Sequence, residues 1–312
     1  MKEVLRAKLL QRSGGGFLIN RHFRSPRYIV LVLSLFTCVN REPLSSVPVV
    51  AGIQRKSASP GRVSGSITQD DRQIKVEYIA HASFRIHSPH GKRIIIDPYG
   101  SQIWLGYDFP KDLGTDAVLI THPHYDHDAG QSRGRPFPWP EKIRVLREPG
   151  KYIIGDISIQ GVKGKHADPY GKEFGQTNTI WVIEAAGLRI THLGDNGPLS
   201  NEAIENIGRV DILLLPIDAL YHILKEAEIQ AIFDALNPKV IIPMHYQIPE
   251  LETSPDRPKN LGPIAPWLKG KKNVLRLENN ERRFTRKTLP EQRQVILFKH
   301  SPQVTSSSVI PK

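Results

Sequence analysis

Sulfur is nearly absent from this chain: one cysteine, Cys38, and two methionines occur in 312 residues. A lone thiol excludes a thiolate-rich structural zinc site, so any metal must be held by nitrogen and oxygen. The scarcity of cysteine fits any cellular compartment. Long apolar runs are missing as well, and the apolar stretch at residues 28–38 is too short to cross a bilayer comfortably. With 39% hydrophobic and 24% charged residues, the composition excludes both wholesale disorder and a multispan membrane protein. No Ser-His-Asp arrangement or nucleophilic cysteine is evident. A basic surplus is lacking where nucleic-acid chemistry would need it. The net charge is +12, but residues 1–72 hold 12 Lys and Arg against 4 acids, leaving 31 against 27 for residues 73–312. Phosphate binding wants cations around the site itself, so a small-molecule substrate is expected and nucleic acid is not.

Histidine is where the sequence is rich. Thr121-His122-Pro123-His124-Tyr125-Asp126-His127 follows an apolar stretch, residues 117–120, and puts four metal-ligating side chains within six residues. Residues two apart on an extended chain point the same way, so His122 and His124 can share one cation while the following turn aims Asp126 and His127 at a second. Imidazole and carboxylate suit zinc, with iron or manganese as alternatives. The bland alternative is a polar loop that holds three histidines by chance, and the strand before it argues against that.

This motif resembles the His-x-His-x-Asp-His signature of the metallo-β-lactamase superfamily. Other segments in the same order extend the resemblance to its zinc-dependent hydrolase branch, which includes ascorbate-6-phosphate lactonase-like proteins. Val76-Glu77-Tyr78-Ile79-Ala80-His81-Ala82-Ser83-Phe84 looks like the opening strand and turn, and Ile94-Ile95-Ile96-Asp97-Pro98 like the end of the second strand. Gly164-Lys165-His166-Ala167-Asp168 resembles the segment with the third histidine ligand, and Ile190-Thr191-His192-Leu193-Gly194-Asp195 the bridging-aspartate loop. Val240-Ile241-Ile242-Pro243-Met244-His245-Tyr246 looks like the strand that delivers the last histidine. The match spans roughly residues 74–250.

The resemblance implies an αββα sandwich, two mixed β-sheets flanked by helices, with a pair of zinc ions per chain. One ion would be held by His122, His124 and His166, the other by Asp126, His127 and His245, with Asp195 bridging and each ion keeping a position open for water. His192, on an expected strand, reads as a core histidine rather than a ligand. His81 reads either as a pocket-lining group that bonds a ligand or as a satisfied buried histidine. The segment after Pro216, with Tyr221 and His222, departs from the family's usual small glycine-containing loop, so the pocket rim is expected to differ. His22, His87, His90 and His300 are assigned no role.

Four segments are expected. Residues 1–40 read as an export signal or membrane anchor, with Cys38 in a weak lipoprotein box; this implies a bacterial periplasmic or membrane-tethered protein. A misassigned start would instead leave it cytoplasmic. Residues 41–72 read as a flexible linker, 73–298 as the hydrolase domain and 299–312 as a disordered tail. Within the domain, strands are expected at 74–79, 84–86, 93–97, 117–120, 152–154, 157–162, 179–184, 188–191, 212–215 and 240–242. Helices are expected at 201–207 and 226–236, the latter through Ala227, Ile229, Ile232 and Phe233.

Two cations in this ligand frame would make hydroxide available near neutral pH, with Asp126 and Asp195 orienting it, so the expected reaction is hydrolysis of a small ester, lactone, amide or phosphodiester. The alternatives are a phosphodiesterase or nuclease, and a non-hydrolytic metal-binding or iron redox protein of the same fold. The oligomeric state is left open.

Overall fold

Alternating apolar residues bounded by Gly, Pro and Asp turns dominate the chain, and in the computed structural model they become strands. It describes residues 72–131, 143–167, 176–218, 223–251 and 261–306. The first half supplies β1 (Ile74–Ala80), β2 (Ser83–His87), β3 (Arg93–Ile96), β4 (Ala117–Leu119), β5 (Arg144–Leu146), β6 (Gly150–Ile154), β7 (Ile157–Lys165), β8 (Thr177–Ala185) and β9 (Leu188–His192). There follow α1 (Asn201–Ile207), β10 (Ile212–Pro216), α2 (Glu226–Leu236), β11 (Val240–Met244), α3 (Ala265–Leu268), β12 (Val274–Arg276), β13 (Glu281–Phe284) and β14 (Gln294–Leu297). The expected export signal, and the expected linker as far as residue 71, lie outside the described residues.

The strands form two sheets, in the orders β13-β1-β2-β3-β4-β5 and β12-β14-β11-β10-β9-β8-β7-β6. Both are mixed. In the smaller, β1, β2 and β3 pair antiparallel while β3, β4 and β5 run parallel. In the larger, β9, β10, β11 and β14 are parallel, and β6 to β9 form an antiparallel meander.

The period-two rule decides which side chain enters which layer. Ile212 and Leu214 of β10, and Trp181 and Ile183 of β8, enter the core between the sheets with Tyr78, Phe84, Ile94 and Leu119 of the smaller sheet. Their neighbours Leu213, Leu215, Ile180 and Val182 face the other way, onto the helices. Strands buried on both faces read as unbroken apolar runs, which is why β10 and β11 carry ILLLP and VIIPM.

The two longer helices keep their expected bounds. Ser200 caps α1 by accepting from the Ala203 amide, and the left-handed residue Asn237 ends α2. On α2 the buried stripe is Ile229, Ile232, Phe233 and Leu236; Ala227, expected on that stripe, is exposed. Each such side chain contributes about 1.5–3 kcal/mol by leaving water. The buried faces of α1, α2 and α3 all join the outer face of the larger sheet.

Among the described residues no α-helix covers the smaller sheet. Its outer positions are charged and satisfy one another: Glu77 accepts from Arg85 at 2.7 and 2.9 Å and lies 3.1 Å from His87 Nε2. Burial by itself would raise the Glu77 carboxyl, but the bonds from His87 and Arg85 bring it down from 4.5 to about 2. A depressed folded-state value stabilises above the unfolded value and loses that contribution as pH falls toward the folded one. The contribution is about 2–3 kcal/mol. Glu77→Gln is expected to lower the urea-unfolding free energy by that amount at neutral pH. The gap to the wild type should narrow as pH falls below about 5 and close only once pH passes below about 2, and a constant gap would contradict it.

The C-terminal region departs from expectation. α3, β12, β13 and β14 were not legible, and β13 crosses to the smaller sheet to pair with β1. The chain after Phe298 is no disordered tail as far as Ser306. Ser301 N donates to Ile79 O at 2.8 Å, Asp108 N donates to Thr305 O at 2.9 Å, and Val304 is buried. These residues carry no periodic pattern, so only their contacts with distant segments order them. Residues 307–312 lie outside the described residues.

Candidate metal centre

Five strands end at one rim of the sandwich. β1 delivers His81, β4 leads into the loop with His122, His124, Asp126 and His127, β7 delivers His166, β9 leads to Asp195, and β11 delivers His245. Parallel strands from both sheets aim these loops at a common point. All seven residues singled out by motif are brought together, and His81 joins them.

The loop after β4 is held by Asp97, which stands at φ 46 just beyond β3. Its carboxylate accepts from Thr121 N at 2.8 Å, from Thr121 Oγ1 at 2.7 Å and from His127 Nδ1 at 2.8 Å. Since the Thr121 hydroxyl proton goes to Asp97, His122 Nδ1–H donates to Thr121 Oγ1 at 3.0 Å. His166 spends its Nδ1–H on Ala167 O at 2.6 Å. Three histidines thus spend one ring nitrogen on protein groups and turn Nε2 inward, the atom that a cation would take in place of a proton.

The loops carrying His166 and Asp195 are stitched together. Ala167 N donates to Asp195 O at 2.9 Å, and Asn196 Oδ1 accepts from Lys165 N at 2.9 Å. Asn178 Nδ2 donates to Leu193 O at 2.8 Å.

Two sets of donors converge. His122 Nε2 lies 3.1 Å from His124 Nδ1, and the His166 ring packs on both. Asp126 Oδ2 lies 3.4 Å from His127 Nε2 and 3.5 Å from His245 Nε2. The Asp195 carboxylate reaches both sets: Oδ1 is 3.3 Å from His127 Nε2, while Oδ2 is 3.1 Å from His245 Nε2 and 3.9 Å from the Nε2 atoms of His122 and His166. Ligands about 2.0–2.2 Å from one cation stand roughly 3–3.6 Å apart, so most of these separations are edges of a coordination shell.

The residues fit a cation on two further counts. His127 Nε2 and Asp195 Oδ1 are fully buried and make no hydrogen bond. The charge balance also calls for positive charge. Burial alone would raise Asp126 and Asp195, but neighbouring His127 and, for Asp195, His245 hold both well below the usual carboxylate range. Burial alone would lower His127 and His245; Asp195 foremost lifts His127 well above its ordinary value and His245 to about 9. Asp126 and Asp195 therefore sit charged in a buried pocket.

His192 is not free to bind anything: Nε2–H donates to Ala82 O at 2.8 Å and Nδ1 accepts from Gly194 N at 3.0 Å. His87 belongs to the outer-face network, and His90 and His300 bond elsewhere. Tyr221, His222 and Asp168 lie outside the described residues. Sequence reasoning missed Asp97 and Thr121 as supports and Gln176, whose side-chain nitrogen stands 3.1 Å from His124 Nε2.

Residues 75–245 match the family model of the beta-lactamase superfamily domain, a span that runs from β1 to His245 and includes all seven motif residues. The chain belongs to that superfamily. It is 31% identical over 206 residues to a UPF0173 metal-dependent hydrolase of Thermoplasma acidophilum, covering 60% of this chain and 90% of that one. It is 29% identical over 211 residues to one from Thermococcus onnurineus, covering 60% and 92%. A solved structure from Thermotoga maritima, assigned to the Zn-dependent hydrolases of the metallo-beta-lactamase superfamily, superposes with a TM-score of 0.55. That alignment has 28% identity and covers 73% of this chain and all of that one. This metallo-β-lactamase-fold protein is thus a metal-dependent hydrolase by family, with a histidine and aspartate cluster suited to metal.

Proposed function

We propose that this hydrolase uses a dinuclear zinc centre to activate water against a small ester, lactone, amide or phosphodiester. The observation that carries the reading is the Asp195 carboxylate, within 3.9 Å of histidine nitrogens from both donor sets. His122, His124 and His166 would hold one ion, and Asp126, His127 and His245 the other. Two cations so held would supply Lewis acidity toward the substrate oxygen and a water that loses its proton near neutral pH. Iron or manganese would suit the same nitrogen and oxygen donors.

The chain's own part is orientation and charge. Asp126 and Asp195 stay ionised and accept hydrogen bonds, so they fix the direction of an attacking water. Asp97 accepts from His127 Nδ1–H and so orients the ring with Nε2 toward the centre. His122, His127, Asp195 and His245 are buried, while His124, Asp126 and His166 are partly exposed and form the side from which substrate would enter.

The test is metal content of the full-length protein and of His124→Ala, together with hydrolysis of a lactone and phosphodiester panel. About two zinc ions per chain in the wild type, with metal and turnover both falling in the variant, are expected. A metal-replete wild type that hydrolyses no member of the panel, or one that carries iron and turns over only redox substrates, would overturn the proposal.

A further inference from the structure

His81 is fully buried, yet it lies at φ 55, a backbone conformation strained for a non-glycine residue. Its ring Nδ1 is also buried without a hydrogen-bond partner. An unpaired buried nitrogen adds to that cost. A histidine serving only to fill the core would resemble His192, where both ring nitrogens are bonded. Glycine would suit the backbone at this turn, and a smaller side chain would avoid the orphan nitrogen. What histidine adds is therefore the other end of the ring.

That end is directed at the centre. His81 Nε2 lies 3.0 Å from Asp126 Oδ2, the same oxygen that stands 3.4 and 3.5 Å from the Nε2 atoms of His127 and His245. Of the three imidazoles around this oxygen, His81 is the nearest. The His81 carbonyl accepts from His245 N at 3.0 Å and from Tyr78 OH at 3.1 Å, and its ring packs on that of His245 with centroids 4.1 Å apart. His245 stands at φ 64, so two left-handed residues on different sheets brace one another.

We infer that His81 is a positioning residue for the Asp126, His127 and His245 set: its Nε2–H fixes the direction of the Asp126 carboxylate, and its backbone carbonyl sets the register of His245. With the proton on Nε2, His81 takes no cation itself. It would instead hold the Asp126 carboxylate in the orientation in which Oδ2 lies nearest His127 and His245. The inference rests on the dinuclear reading above and is confined to one of the two positions.

The test is zinc titration of the metal-free full-length protein against a competing chelator, for wild type, His81→Ala, His81→Asn and His81→Gln. Circular dichroism reports folding. Asparagine tolerates the left-handed backbone but is too short to reach Asp126, whereas glutamine keeps an N–H donor of similar reach. The weaker or stronger of the two zinc affinities should fall by about 10–100-fold in the alanine and asparagine variants, the other should stay unchanged, and glutamine should restore part of the loss. Both affinities unchanged in folded His81→Asn would overturn the inference. So would equal losses at both positions, or a glutamine variant no better than the asparagine one. A wild type that binds a single zinc ion would defeat the dinuclear reading instead. His81 is then judged on that ion, and an affinity unaffected by His81→Asn overturns its role as well.

Discussion

Asp195→Asn is expected to lower kcat/KM by at least about three orders of magnitude, because several kcal/mol of transition-state stabilisation depend on charge held at both donor sets at once. Among the described residues, Asp195 is the carboxylate within 3.9 Å of His122, His127, His166 and His245 nitrogens. Asparagine keeps the shape but removes the negative charge and turns one oxygen into an N–H donor, which repels a cation. Metal content should fall by about one ion per chain. The metal-free variant should also lose stability, since in the absence of a cation Asp195 is paired with the His127 and His245 rings that its charge lifts. Steady-state kinetics and metal analysis of the purified variant check this together. A variant that keeps both ions and a tenth of the activity would remove Asp195 from the bridging position.

Gly194→Ala is expected to destabilise the fold by about 2–4 kcal/mol, the sum of a left-handed backbone penalty and an overpacking penalty. Gly194 stands at φ 58, and a Cβ there would meet Asn178 Oδ1 at 2.4 Å, Thr121 Cβ at 2.6 Å and Thr121 Oγ1 at 2.7 Å. Both neighbours are anchors rather than loose ends. Asn178 holds Leu193 O, and Thr121 holds Asp97 and His122. Pushing them apart moves the loop after β4 away from the loop with Asp195, so zinc affinity should fall along with the urea midpoint. A variant within about 0.5 kcal/mol of wild type with full zinc affinity would show that the close approach is not needed.

The two predictions differ in how their residues could be read. Asp195 stood out in the sequence because it follows an apolar strand in a recognisable order with the other ligands. Gly194 stood beside it as an unremarked letter, since what requires glycine there is Thr121, 73 positions earlier, and Asn178 from another strand. Asp97 is similar. Its carboxylate organises the motif loop through residues 24 and 30 positions away, and nothing in Ile94-Ile95-Ile96-Asp97-Pro98 states that.

The sequence by itself determined the strands from β1 to β11 other than β5, the two longer helices and the residues available to hold metal. Those features depend on period-two and helical alternation, on caps, and on a motif packed into six positions, all of which are local. Tertiary structure alone decided that β13 closes the smaller sheet beside β1 and that residues 299–306 pack against Ile79 and Asp108. It also decided that His81 meets Asp126 across 45 positions. In each case the partner lies far along the chain, and a contact of that kind leaves no periodic trace in either segment. Its free energy exists only once both segments are already in place.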